Sequence, residues 1–299
     1  MLECSRSRLT WNPMNSNPKR SEIKRIFRQH GLAPKKWMGQ NLLVDPAYLG
    51  RIVEAAQIQP GQPVVEVGAG LGVLTEALVE EGARVWALEV DAGFFRVLEQ
   101  KLEGRDEVQL IHADVLKFDF RRLRERLGPL KVVANLPYNI SSRLIFRFHE
   151  EQDMFSSLTI LLQKEVAERL MASPGTKDYG ILTVLLGVSA IVENLFDIPG
   201  EAFFPVPKVR STLVRVRFQN PPPLAAADPS LLIRVVKSSF AARRKTLRNS
   251  LRSGSIPGLT EPILSESAQA ADIDLRRRPE TLTPEEFVRF SDEIHKRLS

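Results

Sequence analysis

An amide, a main-chain carbonyl and an aromatic ring stand within four residues at Asn135-Leu136-Pro137-Tyr138. Pro137 blocks helix and central-strand continuation, so the chain turns there and the Leu136 carbonyl is freed from any ladder. Such a trio suits a flat heterocycle carrying an exocyclic amine. The Asn135 oxygen and the Leu136 carbonyl can accept its two N–H hydrogens, and Tyr138 can stack on its face. A ring-conjugated amine is a poor nucleophile because its lone pair delocalises. Two acceptors favour a more pyramidal nitrogen and direct the lone pair at an electrophile. That chemistry needs no strong base. It suits a chain with four scattered His, one Cys and no metal-ligand spacing.

The elements that must position this trio lie upstream. Val132-Val133-Ala134 reads as a buried strand that delivers Asn135 to its end. Val64 to Thr75 reads as strand, glycine turn and helix start, with Gly68, Gly70 and Gly72 in the turn. The spacing is G-x-G-x-G, with Val73 where a dinucleotide fingerprint places its third Gly, which disfavours a dehydrogenase. Arg84–Glu89 reads as a second strand. Its final carboxylate lies 17 residues after Gly72, about where an acid grips ribose hydroxyls. Val108 to Asp114 reads as a third strand, ending in a carboxylate able to accept from an adenine amino group. Without the others, Glu89 reads as a solvated strand end and Asp114 as a turn cap. Ordered along successive strand ends, they read as one ligand edge of an open α/β sheet.

These motifs resemble those of class I S-adenosylmethionine-dependent methyltransferases. More narrowly, they are similar to the ribosomal RNA adenine N6,N6-dimethyltransferases, and within that family to its bacterial small-subunit branch. The matching runs are Gly39–Leu43, Glu66–Gly70, Asn135–Ser142, Ala202–Ser211 and Phe240–Asn249. Leu42 stands where the family commonly has Phe. The resemblance implies a Rossmann-like α/β fold with a mostly parallel seven-stranded sheet and a small C-terminal all-α domain. It implies S-adenosyl-L-methionine held by Asn41, Leu43, Gly68, Gly70, Glu89, Asp114 and Asn135. The catalytic set would be Asn135, Leu136, Pro137, Tyr138 and Phe203. Phe203 is chosen over Phe204 by motif register to form the second side of a base sandwich, although a core aromatic fits its sequence context equally. The implied reaction is dimethylation of two adjacent adenosines near the 3′ end of 16S rRNA in the assembling small subunit.

Composition sets the surroundings. The 299 residues suit one large domain and one small one. No apolar run is long enough to span a bilayer; Gly180–Val192 reads as a buried helix leading into a strand. No secretory signal is expected, and one cysteine gives no internal disulfide, so the cytoplasm is the expected compartment, without metal or membrane. A monomer is expected. The net charge is +6, and between Val206 and Arg252 eleven cations face only Asp228 in sequence. Such an imbalance suits a solvated face or a polyanion. Lys208, Arg243, Arg244, Lys245 and Arg248 are the candidate rRNA phosphate contacts.

Residues 1–37 read as a disordered leader and a short basic helix from Ser21 to His30, with residues 1–13 of open origin because Met14 is a second possible start. Residues 38–220 read as the catalytic domain. Pro221-Pro222-Pro223 is a stiff linker, and 221–299 the helical RNA-binding domain, with one helix running from Pro229 to Leu251. Three rivals stand beside the leading reading. They are a large-subunit dimethyltransferase of the erythromycin-resistance type, a DNA adenine methyltransferase, and a non-catalytic assembly factor that binds pre-ribosomes.

Overall fold

A computed structural model describes residues 20–33, 39–242, 244–254 and 256–299. Most of the expected leader, and Arg243, lie outside the described residues. In chain order the N-terminal half runs α1 (Arg20–Gln29), β1 (Leu42–Leu43), α2 (Pro46–Ala56), β2 (Pro63–Val67), α3 (Val73–Glu80), β3 (Arg84–Glu89), α4 (Ala92–Lys101), β4 (Val108–His112) and α5 (Arg121–Leu127). Then follow β5 (Leu130–Asn135), α6 (Ser141–Glu150), β6 (Phe155–Gln163), α7 (Lys164–Leu170), α8 (Ile181–Ser189), β7 (Ala190–Ile198), β8 (Phe203–Phe204) and β9 (Ser211–Phe218). The chain ends in α9 (Pro229–Phe240), α10 (Leu247–Ser253), α11 (Glu261–Ala270) and α12 (Pro284–Leu298).

Seven strands form one sheet in the order β4-β3-β2-β5-β6-β9-β7. The β2–β3, β3–β4, β2–β5 and β5–β6 pairs are parallel. Helices must therefore cover both faces, and the strands read as near-continuous apolar runs. Val64, Val85, Ala87, Val132 and Val133 are fully buried accordingly. The chain travels outward from β2 to β4, then returns to place β5 on the other side of β2. That reversal opens a crevice at the strand C-termini, where the ligand-edge residues stand.

Local chemistry fixes the helix starts. Asp45 caps α2 by accepting from the Ala47 N–H at 2.9 Å, with Pro46 in the first turn. Asp91 caps α4 by accepting from Gly93 N–H at 2.8 Å and Phe94 N–H at 3.2 Å. Gly72 holds φ +76° as α3 begins. α1 is already helical at Arg20, one residue before the expected start at Ser21.

Internal contacts divide the chain into two compact units. The first comprises Met1–Arg147, Asp153–Lys164 and Leu195–Val214; the second comprises Phe148–Gln152, Glu165–Asn194 and Arg215–Ser299. The second unit is chiefly helical and takes in α8 as well as the helices after the triple proline. The apolar run at Gly180 is α8 followed directly by β7, and no described helix is long and apolar enough to cross a membrane.

The expected single helix from Pro229 to Leu251 is in fact two. α9 stops at Phe240, and Thr246 caps a new helix by accepting from the Asn249 N–H. The Leu247 N–H meanwhile donates to the Arg277 carbonyl at 2.8 Å, which holds the redirected chain. Periodicity carried across the break because Leu247 and Leu251 are core residues on either reading.

His149 gives this unit a pH dependence. It is 6 % exposed, with Nδ1 3.2 Å from the Ser189 hydroxyl. Burial, with a smaller effect from the Lys237 charge, pushes its pKa down to about 4 from 6.5. The unfolded chain therefore takes up a proton that the folded chain refuses. Stability is fully present above pH 6.5 and is lost as pH falls toward 4, by about 3 kcal/mol from this group. Urea unfolding of wild type and His149→Gln at pH 7.5 and 4.5 checks this. Identical losses in both proteins would remove His149 from the account.

Candidate active site

The ends of β2, β3, β4 and β5 line an open cleft. Gly68, Gly70, Glu89, Asp114, Asn135 and Leu136 all line it. Gly68, Gly70 and Gly72 all have φ between +61° and +77°, a conformation natural only to glycine. A side chain at Gly70 would also collide with Leu42, 2.8 Å from the built Cβ position.

Glu89 is 5 % exposed and holds the turn. One oxygen accepts from Gly70 N–H and the other from Asp91 N–H, both at 2.8 Å. Burial pushes its carboxyl above the ordinary range, while those two N–H groups pull the other way. Beneath the turn, Glu66 is buried and pushed up to about 8 by burial, against the lowering hydrogen bond from the Thr75 hydroxyl at 2.5 Å. It is thus largely a neutral acid at pH 7. Lys101 reaches in from α4, donates to the Leu71 carbonyl at 2.8 Å and pairs with Glu76 at 2.9 Å. Asp114 uses one oxygen to accept from the Leu116 N–H at 2.9 Å, so it caps its turn as well as lining the cleft.

The decisive geometry is at Asn135. Its Nδ2 donates to the Asn41 carbonyl at 2.8 Å. A carbonyl cannot donate, so this bond orients the amide and leaves Oδ1 as a free acceptor. Among the described residues neither Oδ1 nor the Leu136 carbonyl accepts a hydrogen bond. Two acceptors thus stand one residue apart in the wall of the cleft. Gly39 packs against the same turn; a Cβ there would lie 2.9 Å from the Tyr138 nitrogen. The Tyr138 hydroxyl hydrogen-bonds Ser211 Oγ at 2.6 Å, and burial raises its pKa, so the phenol is neutral and is no base.

Three expectations from sequence need correction. Phe203 is fully buried in the core and pairs with Leu43 across the β1–β8 ladder, so it presents no face to a base. Its core reading is the one realised. The Leu43 side chain is likewise in the core, 6 % exposed, leaving only its main chain available toward a ligand. Arg244 and Lys245 lie between α9 and α10, not within a helix. Tyr138 borders the site through its backbone but is not in the cleft wall. Sequence reading missed Val90 and Phe94 in the apolar wall, although both follow a strand-end acid closely. It also missed Lys101, which no motif marks.

The cation run is more balanced than its sequence suggests. Glu193 pairs with Arg215 and Arg217, Asp228 with Arg234, Glu150 with Lys237, and Glu261 with Arg248 and Arg252. Lys208, Arg210, Arg244 and Lys245 are exposed and make no ion pair among the described residues.

Residues 32–296 match the ribosomal RNA adenine dimethylase family. The chain belongs to that family. It is therefore a methyltransferase of ribosomal RNA adenine, and its class I fold is that of an enzyme. A ribosomal RNA small subunit methyltransferase A from Alkaliphilus metalliredigens is 39 % identical over 93 % of this chain and 97 % of its own. The protein of that name from Desulfitobacterium hafniense is 41 % identical over 90 % and 95 %. Among solved structures, a dimethyladenosine transferase from Plasmodium falciparum shares the fold with a TM-score of 0.68 at 23 % identity, covering 83 % of this chain and 95 % of its own. The 23S rRNA methyltransferase ErmE aligns with a TM-score of 0.62 at 26 % identity, covering 85 % and 99 %.

Proposed function

We propose that this enzyme dimethylates N6 of two adjacent adenosines near the 3′ end of 16S rRNA, in the assembling small subunit, using S-adenosylmethionine. The observation that carries the reading is the pinned Asn135 amide, with its free oxygen beside the free Leu136 carbonyl. When bound, S-adenosylmethionine supplies an electrophilic methyl group. The cleft fits that cofactor: Glu89 for ribose hydroxyls, the second Asp114 oxygen for an adenine amine, and the glycine turn with Asn41 for close approach. Asn135 and Leu136 accept the two hydrogens of the target amine and direct its lone pair into the cleft. Positioning of this kind supplies up to ~7–11 kcal/mol of barrier reduction. Pro137 keeps the Leu136 carbonyl out of any ladder, and Tyr138 borders the extruded base. The methylated nitrogen, now cationic, loses its proton to solvent, so no side-chain base is required.

Residues 38–220 carry the chemistry in this reading, and 221–299 bind rRNA through Arg243, Arg244, Lys245 and Arg248, with Lys208 of the preceding region assisting. The enzyme acts as a cytoplasmic monomer without metal. Identity near 40 % to small-subunit enzymes, against 26 % to ErmE, favours the small subunit over the large. Tritiated methyl transfer to unmethylated small subunits, large subunits, naked rRNA and DNA, followed by mapping of the modified base, tests the assignment. Transfer confined to large subunits or to DNA overturns it. Binding to small subunits without transfer would leave only an assembly role.

Lys101 offers a narrower check. Lys101→Met is expected to weaken S-adenosylmethionine binding about tenfold by releasing the Leu71 carbonyl, with kcat at saturating cofactor near wild type. Lys101→Arg should recover part of that affinity. Calorimetry and steady-state kinetics decide; a fall in kcat alone contradicts a role in holding the turn.

A further inference from the structure

The run Arg276-Arg277-Arg278 has no part in the site above, and the fold gives its three guanidiniums different tasks. Arg277 is an anchor. Its Nη1 and Nη2 donate to the two Glu286 oxygens at 2.6 and 3.0 Å, and Nη2 also donates to the Thr281 carbonyl at 2.5 Å. Glu286 in turn completes the capping box of α12. With the middle residue fixed inward, its neighbours face water: the Arg276 side chain is 90 % exposed and that of Arg278 58 %.

The backbone then brings a second basic segment alongside. The Leu247 N–H donates to the Arg277 carbonyl at 2.8 Å and the Arg248 N–H to the Leu275 carbonyl at 3.1 Å. Those two bonds seat the start of α10 against the Leu275–Arg277 backbone, and exposed Arg244 and Lys245 lie just before Leu247 in the chain. The carboxylates present are Asp274 on Arg276, Glu280 at 3.9 Å from Arg278, and Glu261 on Arg248 and Arg252. The Arg276–Asp274 pair is bidentate, with Nε and Nη2 on the Asp274 oxygens at 3.0–3.1 Å, so a phosphate competes with Asp274 for an otherwise exposed guanidinium, whereas the long Glu280 contact contributes little. Among the described residues, none of the large apolar side chains that stand exposed (Val90, Ile191, Val206, Val209) lies in these segments. A protein-binding face would normally offer an apolar centre.

We propose that Arg276 and Arg278 join Arg244 and Lys245 in one continuous face that binds the sugar–phosphate backbone of the RNA substrate. The proposal rests on the rRNA reading above and extends its binding surface to a segment remote in sequence. Phosphate contacts of this kind position the substrate without reading its bases, so they act on binding and salt dependence rather than on the methyl-transfer step.

The test compares full-length wild type, Arg276→Ala/Arg278→Ala and Asp274→Asn for binding to unmethylated small subunits over a range of salt. The double variant should weaken binding and flatten the log affinity versus log salt slope by up to about two units, one for each phosphate that is no longer neutralised. Its kcat at saturating subunit and cofactor should stay at the wild-type value. Asp274→Asn, which removes the competing carboxylate and keeps both arginines, should tighten binding. It guards against a double variant that folds poorly. An unchanged slope in the double variant, or no gain from Asp274→Asn, overturns the proposal. So does a loss seen with whole subunits but absent with protein-free 16S rRNA, which would put a ribosomal protein under these arginines. Wild-type transfer to small subunits is measured first. Its absence sinks the functional reading, whereas its presence with an unchanged slope sinks this proposal alone.

Discussion

Asn135→Ala is expected to leave subunit binding intact and to lower kcat for dimethylation by ~10²–10³, the scale of losing one preorganised polar group at the reacting centre. The variant deletes the free Oδ1 acceptor and also the Nδ2 bond to the Asn41 carbonyl at 2.8 Å. The second loss can loosen residues 39–43 over the cleft, so cofactor affinity must be measured alongside. A kcat close to wild type would show that the amine is gripped elsewhere. A collapse explained wholly by lost cofactor affinity would make Asn135 a cofactor ligand only.

The second large effect is at Glu89. Glu89→Ala should weaken S-adenosylmethionine binding by ~10² or more, measured by calorimetry. It removes the acceptor proposed for the ribose and leaves the Gly70 and Asp91 N–H groups without partners, each worth ~1–3 kcal/mol when buried. The same variant should lose its affinity for the demethylated product in parallel, since the ribose is common to both. Wild-type affinity in Glu89→Ala would remove the carboxylate from the cofactor site.

The framework of the site was legible in the sequence because it is local. Asp45-Pro46 announces α2, the glycine spacing announces a turn with positive φ, and Glu89 and Asp114 follow apolar strands directly. What escaped depends on residues far apart in the chain. Periodicity could not tell a stacking Phe203 from a core one, since both sit at a strand end among apolar neighbours; only the pairing with Leu43 decides it. The cation run looked unopposed because Glu150 and Glu193 precede it and Glu261 follows it. The break between α9 and α10 is set by the Arg277 carbonyl, 30 residues beyond Leu247. Lys101 is an ordinary helical lysine until the fold brings it under the Leu71 carbonyl.

The Asn41 carbonyl does more than steady a side chain. By holding the Asn135 amide one way round, it denies the site the half-turn that would offer an N–H in place of an oxygen. The wall then presents lone pairs only. A base bearing a keto oxygen at the same ring position meets repulsion, with nothing to donate to its oxygen and two acceptors left unfilled. Sites built around such hydrogen bonds reject the mismatched analogue by ~10⁴ or more. Deamination of the target adenosine to inosine would therefore exclude it by electrostatics, before any question of whether its ring nitrogen could react. RNA carrying inosine at one of the two positions should be methylated only at the other, and equal binding of the two bases in the cleft would refute the fixed orientation.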